Sequence, residues 1–309
     1  MIQLFNYDLI NQIYTEKSVK IKKVFEKGNN ILQQQSDIAM MNDASQPLEY
    51  YSIEAKRWTK TISQVIVETP VSLTVNGDIW LSFMCTPIDL EAMAVGFLFN
   101  ERLLSSTGEI ASVRVCPGGD NIDLWLNHQV EKPVLWKRTS GCTGGITSIQ
   151  TIEPALPKLP QTDPDNSTIS LEQITRLIDK LFESQALYRR SGGVHTSVLT
   201  DGKTIDVVGE DIGRHNTLDK IAGKMLLNHI ELQSKILLTT GRISSEMIQK
   251  ASRIGASIVI SRTSPSSLSV EAAEQLGITL IGYARRNQFR LYTHPERIPD
   301  ILIPAITSS

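Results

Sequence analysis

The residue best suited to covalent chemistry in this chain is Cys142, in a glycine-rich segment at residues 139–147. Glycine lets a backbone approach a ligand closely, and backbone N–H groups exposed in such a loop lower the pKa of a thiol or hold an anion. An accessible thiolate in such a loop is what a sulfur carrier needs, because a carrier accepts a sulfur atom as a persulfide and presents it elsewhere. A glycine-rich turn around a small buried cysteine has the same composition, so the residues alone leave both interpretations open.

The other cysteines are predicted to be structural. The chain has three cysteines, and Cys85 falls in an apolar strand while Cys116 stands at the end of another strand. An odd, widely spaced set does not form a disulfide framework and suits a reducing compartment. Zinc sites use closely spaced ligands, whereas the five histidines are scattered and no C-x-x-C is present. No structural metal is expected.

A second set of polar residues stands where predicted strands end. Five glycine- or arginine-bearing segments follow or precede strands, namely 191–196 (SGGVHT), 209–216 (GEDIGRHN), 239–246 (TTGRISSE), 261–266 (SRTSPS) and 282–288 (GYARRNQ). In open α/β sheets, ligands bind outside the carboxyl ends of strands, and helix N-termini at such ends bind anions. If these ends converge, they line one cleft for a ligand with more than one phosphate.

Candidate roles follow from the side chains in these segments. Arg242, Arg262 and Arg285 are candidate phosphate contacts, because a guanidinium binds phosphate through paired hydrogen bonds. Asp211 and His215 are candidates for tuning protonation or for ordering the cleft. A capping and salt-bridge cluster would explain residues 209–216 equally, and the sequence contains no complete phosphate-binding loop or dinucleotide fingerprint.

The elements that must position these residues divide the chain into four predicted parts. Residues 1–58 are a polar N-terminal extension, and residues 59–151 alternate short strands with a helix after Asp89, which predicts a small α+β domain. Residues 152–169 contain four prolines and are predicted to form a linker. Residues 170–309 begin with an amphipathic helix and then alternate strands and helices, which predicts a layered α/β domain with a parallel or mixed sheet.

The composition excludes several classes of protein. The 309 residues are 41% hydrophobic and 21% charged, which is typical of a globular protein and not of a disordered one. The net charge of −2 means that the chain has no overall excess of basic residues, so no nucleic-acid partner is predicted. No stretch has the apolar length of a membrane helix or a signal peptide, so we expect a cytoplasmic protein without a membrane partner.

Six motifs in a fixed order identify a resemblance. The runs PVSLTVNG to FMCTP-x-DLE-x-x-AVGFLF-x-E, SGC-x-x-G, SGGVHT, ED-x-GRHN-x-x-DK, GR-x-SSEM and GITLIGYAR-x-x-x-F-x-x-Y resemble the formate dehydrogenase accessory protein family (FdhD/NarQ). The similarity covers about residues 60–298. The resemblance implies that the larger domain is an α/β/α layered mixed sheet similar to the cytidine deaminase fold. The deaminase zinc motifs are absent from the sequence, so deamination is not implied.

The resemblance also implies an activity. It implies a sulfurtransferase that takes sulfur from a cysteine desulfurase as a persulfide. Such a protein passes the sulfur to the bis-molybdopterin guanine dinucleotide cofactor, which carries molybdenum or tungsten, before that cofactor enters formate dehydrogenase. The resemblance places the persulfide cysteine of the family on Cys142, and it implies a homodimer. The cofactor-binding stretch falls on Tyr283, Ala284, Arg285, Arg286, Asn287 and Gln288.

The chain departs from the family pattern at two positions. Gly145 stands where the loop of the family carries its second cysteine, so a two-cysteine relay within the loop is impossible but a single persulfide is not. Arg286 stands where many relatives carry glycine. Two alternatives stay open: a cofactor-binding chaperone in which Cys142 never holds sulfur, and a thiol hydrolase or acyltransferase that pairs Cys142 with His215.

Overall fold

The computed structural model describes residues 44–133, 136–138, 146–148, 168–232, 234–286 and 288–301. All of them belong to one compact unit, Asn42–Ser309. The predicted extension up to residue 43, the predicted linker up to residue 167 and Cys142 itself lie outside the described residues.

A six-stranded mixed sheet forms the larger part of the described chain. Its strands are β9 (His195–Thr200), β10 (Ile205–Asp211), β11 (Ile236–Thr239), β12 (Ile258–Ser261), β13 (Thr279–Arg285) and β14 (Gln288–Leu291), in the spatial order β10-β9-β11-β12-β13-β14. The β11-β12 and β12-β13 pairs are parallel, and the remaining pairs are antiparallel. The sheet is therefore mixed, as the alternation of strands and helices predicts.

Helices cover both faces of this sheet. The helices of the described chain are α1 (Leu90–Asn100), α2 (Leu171–Glu183), α3 (Ala186–Ser191), α4 (Arg214–Leu227), α5 (Ser245–Ile254) and α6 (Ser267–Leu276). Successive strand residues point to opposite faces. Leu237 and Leu280 thus join a core with α4, α5 and α6, whereas Leu238 and Ile281 join a core with α2. The result is the expected α/β/α layering; the similarity to the cytidine deaminase fold stays a prediction.

A smaller four-stranded sheet precedes these layers. It contains β3 (Thr69–Val75), β4 (Asp78–Cys85), β5 (Ile110–Val115) and β6 (Asn121–Leu126), in the order β4-β3-β6-β5. Asn76 and Gly77 form the predicted tight turn between β3 and β4, and both have positive φ, 49° and 89°. Cys85 is fully buried in the core between this sheet and α1, which agrees with the structural role predicted for it.

The helix α1 joins the small sheet to the larger one. All of its residues except Glu91 are buried, because one side packs on the small sheet and the other packs on α4. Gly96 and Gly223 lie where α1 and α4 cross, and a Cβ atom built on Gly223 would stand 1.7 Å from the carbonyl oxygen of Ala92. Only glycine permits this backbone approach.

Two hairpins complete the described chain. Strands β1 (Ser45–Glu54) and β2 (Arg57–Ile66) form an antiparallel ribbon, and β7 (Trp136–Arg138) pairs with β8 (Ile146–Ser148). The sequence indicated no strand at residues 45–54, because they belong to an N-terminal segment of mostly polar composition with only short apolar stretches. The predicted division into domains stays a prediction, although its first boundary, after residue 58, falls inside β2.

The amphipathic helix predicted from Ser170 onward is two helices. Ser170 caps α2 through a capping box with Gln173, as its position before an apolar pattern indicates. The helix ends at Glu183, and a separate helix, α3, begins at Ala186. The reason is tertiary: the carboxylate of Glu210 accepts the backbone N–H groups of Leu187 and Tyr188 at 2.7 and 3.2 Å.

Candidate functional site

The polar segments predicted at strand ends converge on one edge of the six-stranded sheet. Strand β9 is antiparallel to both of its neighbours, so its first residue, His195, lies at the same edge as the carboxyl ends of β10, β11 and β12. A cavity of about 560 Å³ opens there, which we call the strand-end cavity. It is lined by Gln185, Tyr188, Gly192, Gly193, Val194, His195, Ile212, Thr240, Arg262, Thr263 and Arg285. Each of the five polar segments that were expected to converge contributes at least one of these lining residues.

His195 supplies the imidazole of this cavity. Its Nδ1 lies 3.5 Å from Thr240 Oγ1, a contact at the limit of hydrogen bonding. Burial lowers the pKa of His195, and the charges of Arg214 and Arg242 lower it further while Asp211 opposes them. The imidazole is therefore neutral at pH 7 and offers one donor and one acceptor to a ligand.

Arg262 and Arg285 provide positive charge to the cavity. Both also line a second cavity of about 430 Å³, the arginine cavity, together with Asp179, Phe182, Glu183 and Arg286. The guanidinium of Arg262 lies 4.2 Å from the ring centroid of Phe182. Its Nε is buried and has no hydrogen-bond partner among the described residues. Since neither Arg262 nor Arg285 forms an ion pair with a described carboxylate, both keep donors for an anion.

Arg242 lies beside this edge without lining either cavity. It is exposed just after β11, and its charge is close enough to His195 to lower the pKa of that imidazole. Of the three predicted phosphate contacts, the structure therefore brings Arg262 and Arg285 together and leaves Arg242 at the periphery.

The predicted cofactor-binding stretch at 283–288 forms the turn between β13 and β14. Tyr283 is 38% exposed and stacks with Arg290, whose guanidinium lies 4.3 Å from its ring centroid. Arg286 is exposed, and its Nε donates to Asp179 at 2.7 Å. Gln288 is exposed at the start of β14, and Asn287 lies outside the described residues. The side chains of Tyr283, Arg285 and Arg286 are thus exposed and open to a ligand.

The side chain of Ala284 requires a correction to its predicted role. It is fully buried in the core between the sheet and α2, so it offers no side-chain contact to a cofactor. An irregularity of the strand register between Gly282 and Arg285, where Tyr283 has a positive φ of 52°, interrupts the alternation of faces along β13. Ala284 therefore shares the α2-facing core with Ile281, while Tyr283 and Arg285 are exposed.

Of the two roles predicted for Asp211, tuning protonation or ordering the cleft, its contacts favour the ordering role. Its side chain is fully buried, and Oδ2 accepts from Lys220 Nζ at 2.7 Å and from the backbone N–H of Thr86 at 3.1 Å. Its other oxygen accepts from Gly213 and Asn216 at 2.7 and 2.9 Å. Because both oxygens are saturated, Asp211 orders the edge of the sheet and the start of α4 instead of facing the cavity.

His215 lies below the edge in α4. It is 4% exposed, and its Nε2 stands 3.4 Å from Ser244 Oγ. Burial holds the pKa of His215 well below its usual range, and the charges of Lys250 and Arg214 act in the same direction. The imidazole is neutral at pH 7, and it lines neither the strand-end cavity nor the arginine cavity.

Cys142 lies outside the described residues, but the strands on each side of it are described. Arg138 pairs with Ile146, so β7 and β8 are antiparallel and residues 139–145 connect them. Cys142 is the middle residue of this connection. The two described cysteines differ: burial and the charge of Asp211 raise the pKa of Cys85 to about 12, and the half-buried Sγ of Cys116 lies 3.6 Å from Asn121 Nδ2.

Comparison with known proteins decides the family. Residues 66–299 match the family model described as the FdhD/NarQ family. The chain belongs to the FdhD/NarQ family. A sulfur carrier protein FdhD from Bacillus pumilus (strain SAFR-032) is 35% identical over 247 residues, which cover 79% of this chain and 94% of the relative. A protein of the same name from Staphylococcus aureus (strain MRSA252) is 32% identical over 258 residues, which cover 82% of this chain and 96% of the relative.

A solved structure has the same architecture as this FdhD/NarQ chain. It is a crystal structure from Desulfotalea psychrophila of a protein named as a formate dehydrogenase accessory protein. It is 28% identical, has a TM-score of 0.65, and covers 83% of this chain and all of its own chain. Among the residues described here, no helix is long and apolar enough to cross a membrane.

Sequence reasoning missed several residues of the FdhD/NarQ cavity. His195 and Thr240 stood in segments that were singled out, but neither was selected as a site residue. Tyr188 was assigned to the side of a long helix, whereas the helix break before α3 places it in the cavity wall. The SGGVHT motif was the available signal for His195, because a Gly-Gly turn that leads into a strand exposes the first side chain of that strand.

Proposed function

We propose that this protein is a sulfurtransferase that carries sulfur as a Cys142 persulfide from a cysteine desulfurase to the bis-molybdopterin guanine dinucleotide cofactor, before that cofactor enters formate dehydrogenase. The relatives named as sulfur carriers, and the structural neighbour named for formate dehydrogenase, support this proposal. The observation that carries it is the strand-end cavity, in which Arg262 and Arg285 keep free donors among the described residues for a ligand that bears phosphates.

The cavity suits the nucleotide ends of that substrate. A guanine dinucleotide presents a pyrophosphate, whose oxygens match guanidinium donors, and a planar base, which stacks on aromatic or guanidinium planes. Arg262 and Arg285 border both cavities, so a pyrophosphate beside them leaves space on each side for the rest of the nucleotide. Neutral His195 and Thr240 supply hydrogen bonds without adding charge.

The sulfur step is thiol–persulfide exchange. The thiolate of Cys142 attacks the outer sulfur of the donor persulfide, the S–S bond of the donor breaks, and the thiolate of the desulfurase leaves. Cys142 then holds the transferred sulfur, and no net oxidation occurs.

Release of this sulfur as hydrosulfide needs an additional thiol. Attack of an outside thiolate on the inner sulfur of the persulfide expels the outer sulfur and leaves a mixed disulfide on Cys142. Gly145 provides no thiol within the loop. The raised pKa of Cys85, about 12, keeps that buried thiol protonated. The second thiol therefore comes from outside the Cys142 loop.

The test is the mass of the intact protein after incubation with a cysteine desulfurase and cysteine. The wild-type chain is expected to gain about 32 Da, the mass of one sulfur atom, on the peptide that contains Cys142. Cys142→Ala should gain nothing, and Cys116→Ala, which keeps Cys142, should behave as the wild type does.

Two outcomes would reject the persulfide. If Cys142→Ala still supports the maturation of active formate dehydrogenase, the protein is a cofactor-binding chaperone. If the adduct on Cys142 has the mass of an acyl group, the thiol performs acyl transfer.

A further inference from the structure

The ribbon formed by β1 and β2 exposes an apolar face that nothing in the described chain covers. We propose that this face, made of Tyr51, Ile53, Trp58 and Ile62, is the surface through which two copies of this chain pair. Almost all of the ribbon precedes residues 66–299, so the match to the family model does not imply this contact.

The four side chains are unusually open to solvent. Tyr51 is 61% exposed, Ile53 74%, Trp58 68% and Ile62 63%. Tyr51 and Trp58 contact each other edge to face, with ring centroids 5.4 Å apart. Large apolar side chains gathered in this way mark an interaction site more often than scattered exposed residues do.

The strand register places these residues on one side of the ribbon. Ile53 pairs with Trp58, and Glu49 pairs with Ile62. Directly opposite residues of an antiparallel pair share a face, and residues two apart on a strand share it too. Tyr51, between Glu49 and Ile53, therefore belongs to the same face, while Leu48 and Tyr50 belong to the other.

The ribbon has its contacts with the rest of the molecule at its base. The backbone N–H of Val67 donates to the carbonyl of Ala44 at 2.9 Å, and Ile66 packs with Leu187 and Val194. Beyond this base the strands continue as a two-stranded ribbon, an arrangement that is marginally stable in water by itself. A surface that covers the apolar face would stabilise it.

The size of the face fits a second copy. With about 200 Å² for each large side chain, four side chains exposed to this degree present on the order of 500 Å² of apolar surface per copy. A stable protein interface buries about 800 Å² on each side, of which roughly two thirds is apolar in homodimers. The apolar part that such an interface needs is therefore present on each chain.

The charged groups of this face are complementary to those of the same face on a second copy. Lys60 and Glu49 stand on this face 2.7 Å apart, and both are more than half exposed. The face thus carries one positive and one negative group, and two copies related by a two-fold axis meet without an excess of like charge. A strongly charged partner protein would find no such complement here.

The first experiment measures the dimer dissociation constant of the full chain by sedimentation equilibrium. Trp58→Thr combined with Ile62→Thr should raise this constant at least about 100-fold, since threonine keeps the strand propensity but removes the apolar contact. Leu48→Thr combined with Tyr50→Thr, on the other face of the same ribbon, should change it by less than about 3-fold. Far-UV circular dichroism of each variant checks that the chain is folded.

A charge exchange tests the same face without removing apolar side chains. Glu49→Lys alone and Lys60→Glu alone should each weaken self-association, because each face then carries two like charges. An equimolar mixture of the two variants should form the mixed dimer, and added salt should reduce the difference.

Several results would overturn the proposal. The first is a wild-type chain that sediments as a monomer at every concentration. The second is a threonine variant with an unchanged dimer dissociation constant, and the third is a mixture of the charge variants that does not form the mixed dimer. A loss of binding to a cysteine desulfurase or to formate dehydrogenase, with an unchanged dimer, would instead assign this face to that partner.

Discussion

The buried ammonium of Lys220 explains why the motif at residues 210–220 contains so many polar residues. Its ammonium is fully buried and donates to the carboxylate of Asp211 at 2.7 Å and to the carbonyls of Thr86 and Glu210 at 3.0 and 3.1 Å. Three donors meet three acceptors, so the charge is both paired and fully hydrogen-bonded. Such a group ties the small sheet to the large one, because Thr86 follows β4 and Asp211 ends β10.

Removal of this ammonium should be costly. Lys220→Met leaves the carboxylate of Asp211 buried with less compensation, and we expect the free energy of unfolding to fall by about 3–5 kcal/mol. Urea unfolding followed by circular dichroism measures the change. Lys224→Met, one turn later on α4 with a half-exposed ion pair to Asp89, should cost about 1 kcal/mol or less. Equal losses in the two variants would contradict the account.

Arg262 should dominate the binding of phosphates. Its Nε has no partner among the described residues, and Phe182 holds its guanidinium in place. We expect Arg262→Gln to weaken the binding of guanosine diphosphate, measured by titration calorimetry, by at least about 10-fold. Arg286→Gln should have a smaller effect, because Arg286 is exposed and paired with Asp179. Arg176→Gln, on the exposed side of α2, is the control and should bind as the wild type does.

At the scale of elements, the contact between α1 and α4 determines how the two sheets are joined. A Cβ atom built on Gly96 would lie 1.8 Å from the carbonyl oxygen of Asp219, and the corresponding distance from Gly223 to Ala92 is 1.7 Å. The obstacles are backbone atoms of helices, which do not move aside as a side chain does. Two close approaches from opposite sides of one crossing leave no room for either helix to shift alone.

Gly223→Ala should therefore separate these helices. Alanine favours a helix over glycine by about 1 kcal/mol, but overpacking costs about 1–3 kcal/mol, so we expect a net loss of stability of up to about 2 kcal/mol. The thermal unfolding temperature measures it. Gly108→Ala, where a Cβ would meet its nearest atom at 3.6 Å, should stay close to the wild type. A more stable Gly223→Ala variant would show that the crossing is looser than the structure indicates.

The elements themselves were partly predictable. Hydrophobic alternation and the Asn76-Gly77 turn correctly indicated β3 and β4, and the pattern of apolar strands and helices correctly indicated the layered sheet. The break between α2 and α3 was not predictable, because Glu210, far away in the chain, creates it. The ribbon of β1 and β2 was missed because periodicity detects a buried side, and this ribbon is exposed.

At the scale of the whole molecule, the half-buried imidazole of His195 and the buried imidazole of His215 make the free energy of unfolding depend on pH. Burial lowers the pKa of His195 and of His215 in the folded protein. The unfolded chain, with a histidine pKa of about 6.5, therefore takes up protons before the folded chain does. Stability from this source is complete above about pH 6.5 and is lost as the pH falls below it.

The free energy of unfolding should accordingly decrease between about pH 7 and pH 5. His215→Gln should flatten this decrease by up to about 1.4 kcal/mol for each pH unit, since one proton fewer is taken up on unfolding. Urea unfolding at a series of pH values measures the slope. His128→Gln, which changes an exposed imidazole, is the control, and an equal flattening in that variant would reject the assignment.

The sequence alone determined the family, indicated Cys142 as the candidate thiol and predicted that the polar segments meet at one edge of the sheet. Motif order identifies a family without coordinates, and the carboxyl ends of strands in a layered α/β sheet lie together whatever the details. Arg262 and Arg285 were therefore correctly expected at a common edge.

Only the tertiary structure decided which polar residues face that edge. Asp211 and His195 both belong to polar motifs, yet one is saturated by Lys220, Gly213 and Thr86 while the other lines the cavity. Burial and hydrogen-bond partners come from residues distant in the chain, such as Thr86 from β4, and no local pattern contains them. The same holds for the crossing of α1 and α4 and for the uncovered face of the ribbon.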